Sequence, residues 1–554
     1  MQTGTQACPC ESRELYQEYG FPASSAGQAL LEFTPLKNGA GMTTELKGSE
    51  MTVKKLKNYI NGEWEESKTA QWLEVRNPAK DEVIALCPET TKEEIDRTVR
   101  AAQEAFWRWR TTPPPRRSKL LFDFHEKLDK HIDEIATLIV NENGKTLADA
   151  RGEITRAMEY VEHACAGPEL MKGSHAEDVG TGVDTIYIRE PLGPFVFLPP
   201  FNFPAMIALY FVWATAAGNT AIIKSSRLCP MTITRIIEVA EECGFPKGVI
   251  NLLHGSGSGV GDALITHPGT VGVTFVGSSK VGEHVYKTAI NHDKRAQCQG
   301  GAKNHVLIAE DAVIDEVMQN VVDSCFGHVG ERCFAVSNVL AVEKIYDKVK
   351  EKFIELSKKL VLGYGMDKGV TLGPVVSRDA LDKILKEVDR GIKDGAKLFL
   401  DGRNPKVAKY PKGYFLGPTV LEAEPEMRIF QEEVFGPVRC LKRVKNLAEG
   451  VEVINRSPYG HTANLYTENG GWAREFARLV HVGQVGINIG TPAPIAYFPV
   501  GGKKISMFGD IRGRANEAID FYTDKKVIIS RWHSSFHGVA KSLDDGFAMK
   551  YAKK

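Results

Sequence analysis

The stretch Val271-Gly-Val-Thr-Phe-Val-Gly-Ser-Ser-Lys-Val-Gly282 decides how the chain folds. Val271–Val276 is a short apolar run rich in β-branched residues, the pattern of a strand buried on both faces. Gly277 then punctuates a turn, and a helix opens at the serines that follow. Working outward, Phe195–Leu198, Thr220–Lys224 and Val249–Leu253 read as further strands. Between them a helix carries Ile233, Ile236, Ile237 and Ala240 on one face; it ends at Gly244, with Pro246 just beyond. This succession of βαβ units predicts a parallel, doubly wound α/β sheet.

A second α/β unit begins near Asn304. Its strands are predicted at Val306–Ala309, Val336–Val342 and Gly483–Asn488, and its long lysine-rich helix at Ile345–Leu360. Upstream, Leu56 to Trp64 reads as a hairpin turning at Asn61-Gly62. Thr91-Lys-Glu-Glu94 is a capping box, and Ile95, Val99, Ala102 and Phe106 follow at helical spacing until Pro113, Pro114 and Pro115 break the helix. Amphipathic helices follow over about 117–141 and 146–165. The segment Phe521 to Trp532 has strand composition far from the other strands, as an arm reaching a neighbouring subunit would have.

Composition narrows the function. The 554 residues hold 70 Lys+Arg and 70 Asp+Glu, so the formal net charge is zero. A nucleic-acid or anionic-membrane partner usually leaves a basic excess, which is absent. Ten cysteines lack metal-type spacing, and the pair Cys8-Pro-Cys10 has no partners at zinc-site distance. No metal site is predicted, and reduced thiols fit a chain this long. The longest largely apolar run, Ala205 to Gly218, is too short to span a bilayer and reads as a core helix. No signal-peptide pattern opens the chain, so a cytoplasmic location is expected. Residues 1–50, with Met42 and then Met51, read as a loose extension without chemistry.

Several stretches carry candidate chemistry. In Phe326-Gly-His-Val-Gly-Glu-Arg-Cys333, a thiol follows a glycine turn and Arg332. Cys333 is either a nucleophile, which works only as thiolate, or a buried structural cysteine. Asn202, between the prolines of Pro200-Phe-Asn-Phe-Pro204, is either an oxyanion donor or a turn residue. The helix start after Gly277, with Ser278, is either a phosphate site or an ordinary capped turn. Lys224 is either a cofactor ligand or a solvated strand-end charge, and Glu433 by itself a solvent-facing carboxylate. Gly255-Ser-Gly-Ser-Gly-Val-Gly261 does not satisfy G-x-G-x-x-G and is expected to be a flexible loop.

Taken in order, PFNFP, NTAIIK, FVGSSKVG, GGAKNH, FGHVGERC and EEVFGP resemble the aldehyde dehydrogenase superfamily, from about residue 56 to Trp532. Glu331-Arg332-Cys333, Gly301-Ala-Lys-Asn-His305, Gly152-Glu-Ile-Thr-Arg156 and Thr491-Pro-Ala-Pro494 are similar to its CoA-acylating methylmalonate-semialdehyde subgroup. The resemblance implies a cofactor-binding domain over 51–175 and 195–298 and a catalytic domain over 299–503. It implies an oligomerisation arm over 176–194 and 504–534, a tail over 535–554, and a homodimer or homotetramer. It assigns Cys333 as nucleophile, and Asn202 with the Cys333 N–H as oxyanion hole. Phe201, Lys224, Ser225, Arg227, Gly277, Ser278, Glu433 and Phe435 are implied at the cofactor, and Arg156 and Arg332 at a substrate carboxylate.

Two departures from the family follow. Gln299 stands where hydrolytic members carry a glutamate base, and an amide cannot take a proton, so coenzyme A is expected as co-substrate. Lys224-Ser-Ser-Arg227 replaces the family's Lys-Pro-Ser-Glu, exchanging an acid near the adenine ribose for a base. NADP is therefore expected to serve at least as well as NAD.

Overall fold

A computed structural model of the chain describes residues 53–510 and 513–532. The extension over 1–50, Cys8, Cys10, and the tail over 535–554 lie outside them.

Two sheets organise these residues. The first has eight strands in the order Met507–Gly509, Arg295–Gln299, Gly272–Val276, Pro194–Leu198, Thr220–Lys224, Ile250–Leu253, Asn58–Ile60 and Glu63–Glu65. The run from Arg295–Gln299 to Ile250–Leu253 is parallel throughout. The second has seven strands, Lys397–Leu400, Thr419–Glu422, Val438–Val444, Val336–Val342, Asn304–Ile308, Thr462–Tyr466 and Gln484–Ile487. All its pairings are parallel except the first. Buried apolar runs therefore became central parallel strands, as their unalternating composition required.

Direction places the functional edge. Asn202 and Gly277 follow the carboxyl ends of two parallel strands of the first sheet, and Lys224 is the last residue of a third. Cys333, Glu433 and Asn304 stand at the amino ends of strands of the second. The strand Arg295–Gln299 runs through Gly300 to Lys303 directly into Asn304–Ile308. A crevice outside the carboxyl ends of parallel strands is where such sheets bind ligands.

Local signals read from the sequence have physical counterparts. Asn61 and Gly62 both take positive φ, 51° and 79°, in the hairpin turn. Thr91 and Glu94 close a reciprocal capping box on the helix Lys92–Trp109. Three expectations change. The segment over 117–141 is two helices, Pro114–Lys130 and Ile132–Asn143, separated at His131. The run from Ala205 to Gly218 holds a 3-10 turn, Ala208–Tyr210, and a short helix, Phe211–Ala217, which Gly218 ends at φ 99°. The glycine-rich stretch is no flexible loop: Gly257–Gly261 forms a π turn running into the helix Asp262–Thr266. The Glu89 carboxylate pins it by accepting from Ser256 N at 2.8 Å and Ser256 Oγ at 2.6 Å.

Thr523–Arg531 pairs antiparallel with Val183–Pro191, which pairs with Ser174–Gly180. Val527 (58%) and Ile529 (68%) on this small sheet, and Trp532 (80%) just past it, are exposed apolar side chains. No helix among the described residues is long and apolar enough to cross a membrane.

One buried cation ties the second sheet to the turn before Cys333. Arg439 is fully buried; its Nε donates to Cys325 O (2.7 Å) and its Nη1 to Gly436 O (2.8 Å) and Val438 O (2.6 Å). Gly330 packs on it, since a Cβ there would lie 2.1 Å from Nη2. Arg439→Met would strip these carbonyls of their donor and is expected to destabilise the protein by about 2–4 kcal/mol. A thermal melt of the variant checks this; an unchanged midpoint would mean the carbonyls find other donors.

Candidate active site

Cys333 follows an unusual turn. His328 (φ 52°, ψ 47°) and Val329 (φ 48°, ψ 23°) are left-handed, and Gly330 continues at φ 76°. A β-branched residue is rarely held this way, and such strain persists only where surroundings over-determine it. His328 Nε2 pairs with Asn143 Oδ1 at 2.8 Å, and Asn143 Nδ2 donates to Phe201 O at 3.0 Å. Asn304 Nδ2 donates to Cys333 O at 2.7 Å and Ala335 O at 2.9 Å. The thiol's segment is thus clamped from both sides.

Asn202 reaches this turn across the crevice: its Nδ2 donates to Glu331 O at 2.9 Å. Its loop is rigid because Glu153 Oε1 accepts from Ala205 N (2.8 Å) and Met206 N (3.0 Å), while Oε2 takes the buried Lys145 ammonium. Lys145 also sits 4.2 Å from the Phe203 ring centroid. Phe201 meets Phe435 edge to face at 5.9 Å, joining the Asn202 loop to the Glu433 loop.

Burial pushes the Cys333 thiol up to about 11. The largest charge acting on it is Arg514, which favours the thiolate; Glu433 opposes it. Arg332, one residue away, is directed elsewhere: its Nη2 pairs with Asp149 Oδ1, and Gly327 leaves room for the guanidinium. Arg156 Nη1 holds both carboxylate oxygens of Glu159 at 2.8 Å. Arg514 lies in Gly513-Arg-Ala515, and no local motif marks it.

The opposite end of the crevice has a different chemistry. Ser278 caps the helix Ser279–Ile290, and a Cβ at Gly277 would lie 2.5 Å from the Phe275 ring, so that backbone stays bare. Lys224 is buried at its strand end, donates to Gly255 O at 3.4 Å, and is pulled down to about 8 by burial. Arg227 is exposed and has no hydrogen bond or ion pair with a described residue; its charge acts on Lys224. Ser225 turns inward, its Oγ 2.8 Å from His254 Nδ1, so its side chain braces the strand end. Glu433 accepts from Ala302 N at 2.9 Å, and burial pushes its carboxyl up to about 7. Bare glycine backbone at a helix start, a buried lysine and a carboxylate suit the phosphates and ribose hydroxyls of a dinucleotide.

Residues 64–528 match the family model "Aldehyde dehydrogenase family". The chain is 42% identical over 482 residues, 87% of its length and 99% of the relative's, to malonate-semialdehyde dehydrogenase 2 of Geobacillus kaustophilus. Among solved structures it is similar to methylmalonate-semialdehyde dehydrogenase from Oceanimonas doudoroffii, with TM-score 0.85 and 37% identity over 87% of this chain and 99% of that one. A Sinorhizobium meliloti 1021 protein complexed with NAD gives 0.86 and 35% identity, covering 88% and 100%. The chain belongs to the aldehyde dehydrogenase family. Its likeness to the semialdehyde-oxidising members is the one that the motifs around Cys333 and Arg156 carry.

Glu331, between the strained turn and Cys333, is fully buried with one long bond, Val376 N to Oε1 at 3.4 Å, and none to Oε2. Burial pushes it from 4.5 up to about 8. The folded chain then keeps a proton that the unfolded chain releases, so this contribution is intact below pH 4.5 and is lost as pH rises toward 8. Glu331→Gln keeps the shape and cannot ionise. Its thermal midpoint is expected to fall less between pH 5 and pH 8 than that of the wild type; parallel curves would place the titration elsewhere.

Proposed function

We propose that the protein oxidises a carboxylated semialdehyde of the malonate or methylmalonate type through a thioester on Cys333, with NAD or NADP as oxidant and coenzyme A as acyl acceptor. The observation that carries the reading is the meeting of Asn202 with the Cys333 turn, an amide donor 2.9 Å from the carbonyl two residues before the thiol. Cys333, as thiolate, attacks the aldehyde carbon. The oxyanion that forms is held by Asn202 Nδ2 and the Cys333 N–H. Collapse of this thiohemiacetal releases hydride and leaves the thioester. Gly277, Ser278 and Lys224 would hold the dinucleotide's phosphates and ribose, with Glu433 and Phe435 at its nicotinamide-ribose end. When bound, the dinucleotide supplies the hydride acceptor. Arg156 and Arg332 lend positive charge to the pocket wall, which suits an anionic substrate.

Deacylation favours a thiol. Gln299 is neutral, so no base stands at the place where hydrolytic relatives have one, and a thiol's pKa lies much nearer neutrality than that of water. For a β-carboxyl substrate, CO2 is lost as the acyl-CoA forms. Hydrolysis to the free acid is the second reading, favoured by one feature: Glu433, held near 7, acts on Cys333 and could take a proton from water. The exposed apolar strand Thr523–Arg531 supports assembly into a homodimer or homotetramer through the arm.

Product analysis with malonate semialdehyde tests the reaction. Without coenzyme A, a burst of NAD(P)H followed by slow turnover is expected; adding it should raise the steady rate and yield an acyl-CoA. Steady production of free acid unaffected by coenzyme A would leave the hydrolytic reading. The relative solved with NAD supports that cofactor, while exposed Arg227 supports a 2′-phosphate as well. Wild type is expected to use NADP at least as well as NAD, and Arg227→Glu to shift preference to NAD. A wild-type preference for NAD beyond about tenfold, or about 1.4 kcal/mol, would remove Arg227 from the ribose.

A further inference from the structure

The helix Leu147–Cys165 presents Asp149, Glu153, Arg156 and Tyr160 along one face, at the i, i+4, i+7 and i+11 positions. Three of them meet different parts of the site. Asp149 takes Arg332, Glu153 fixes the loop after Asn202, and Arg156 turns along its own helix to Glu159. Tyr160 carries Arg514, whose guanidinium carbon lies 4.8 Å from the Tyr160 centroid and 5.6 Å from that of Tyr210.

Arg514 is only 3% exposed. Its Nε donates to Tyr210 Oη at 2.9 Å and its Nη1, at a long 3.5 Å, to Pro494 O. Among the described residues no carboxylate pairs with it, and Nη2 has no hydrogen-bond partner. Arg156 and Arg332 each have an acid; the most buried of the three arginines has none. A buried cation without a counter-ion is costly, and its unused donors form a planar fork that matches a carboxylate. The segment is anchored beside Gln299: a Cβ at Gly513 would lie 3.1 Å from its Nε2, a buried amide nitrogen without a partner. Arg514 is also the strongest favourable charge on the Cys333 thiol.

We infer that Arg514 is the residue that receives the carboxylate of the semialdehyde, and that it selects carboxylated over plain short aldehydes. This rests on the proposed oxidation at Cys333. The anion completes the aromatic cage of Tyr160 and Tyr210 around the guanidinium. Arg156 and Arg332, already shared with acids of the helix, line the approach.

The test compares malonate semialdehyde with propanal in the presence of coenzyme A for wild type, Arg514→Gln and Arg514→Lys. For Arg514→Gln, kcat/KM with malonate semialdehyde is expected to fall about 100-fold, mainly through KM, with propanal changing less than about threefold. Arg514→Lys, which keeps the charge and loses the fork, should fall in between and covers the case in which Arg514→Gln does not fold. As a binding readout, malonate should protect wild-type Cys333 from iodoacetamide and fail to protect the variants. Equal loss on both aldehydes, with alkylation of Cys333 displaced to higher pH, would make Arg514 a thiolate-stabilising cation and overturn the inference. Variants as selective as wild type would overturn it too, while leaving the semialdehyde reading intact. A wild type that oxidises propanal as well as malonate semialdehyde would instead sink the carboxylated-substrate reading.

Discussion

The site depends on one buried carboxylate. Glu153 neutralises Lys145 and accepts two backbone N–H groups of the Asn202 loop, so a single side chain sets the distance between the helix Leu147–Cys165 and the end of the Pro194–Leu198 strand. Neither ion could stand there alone, because desolvating an unpaired charge is far more costly than desolvating a pair with its hydrogen bonds filled. The pair therefore acts as a fixed strut. Everything on the crevice side of that strut, from Phe201 to Tyr210, inherits its position.

The strut matters because the other half of the site is strained. Two consecutive non-glycine residues in left-handed geometry cost about 1–3 kcal/mol each. They are offset by contacts from three separate directions: Asn143 on His328, Arg439 against Gly330, and Asn304 on the Cys333 carbonyl. His328 and Phe203 also meet edge to face at 5.8 Å, so the strained turn leans on the loop that Glu153 holds. Cys333 and Asn202 come from different sheets, and rigidity on each side keeps them in register.

Much of this was legible in the sequence wherever the signal was local. The unalternating strand runs, the Asn61-Gly62 turn, the Thr91 capping box and the helix start at Ser278 are decided by neighbours a few residues away, and each is found in place. The motif order also placed the chain in its family. Long-range side-chain choices were not legible. Adjacency in sequence pointed to Arg332 as the cation beside the thiol, yet its guanidinium finds Asp149, 183 residues away. The cation that acts on the thiol is Arg514, on a segment with no motif. The glycines of Gly255–Gly261 suggested flexibility, but Glu89, 167 residues from Ser256, holds that stretch as a helical turn. The inward turn of Ser225, whose hydroxyl lies 2.8 Å from His254 Nδ1, likewise has no local signal.

The charges around Cys333 form a balance. Arg514 favours the thiolate and Glu433 disfavours it, while desolvation raises the thiol more than either shifts it. Both flanking charges can change during turnover. A carboxylate bound at Arg514 removes the favourable field, and protonation of Glu433, poised near 7, removes the opposing one. The thiol is thus easiest to ionise before an anionic substrate settles, and the carboxylate's arrival favours spending the thiolate in bond formation over holding it as a free anion. On the proposed reaction no charge remains on sulfur once the thioester forms, and Arg514 would be left paired with the acyl group's own carboxylate. On that reading, the cation that first eases ionisation of Cys333 would also keep the acyl chain in place for the incoming thiol.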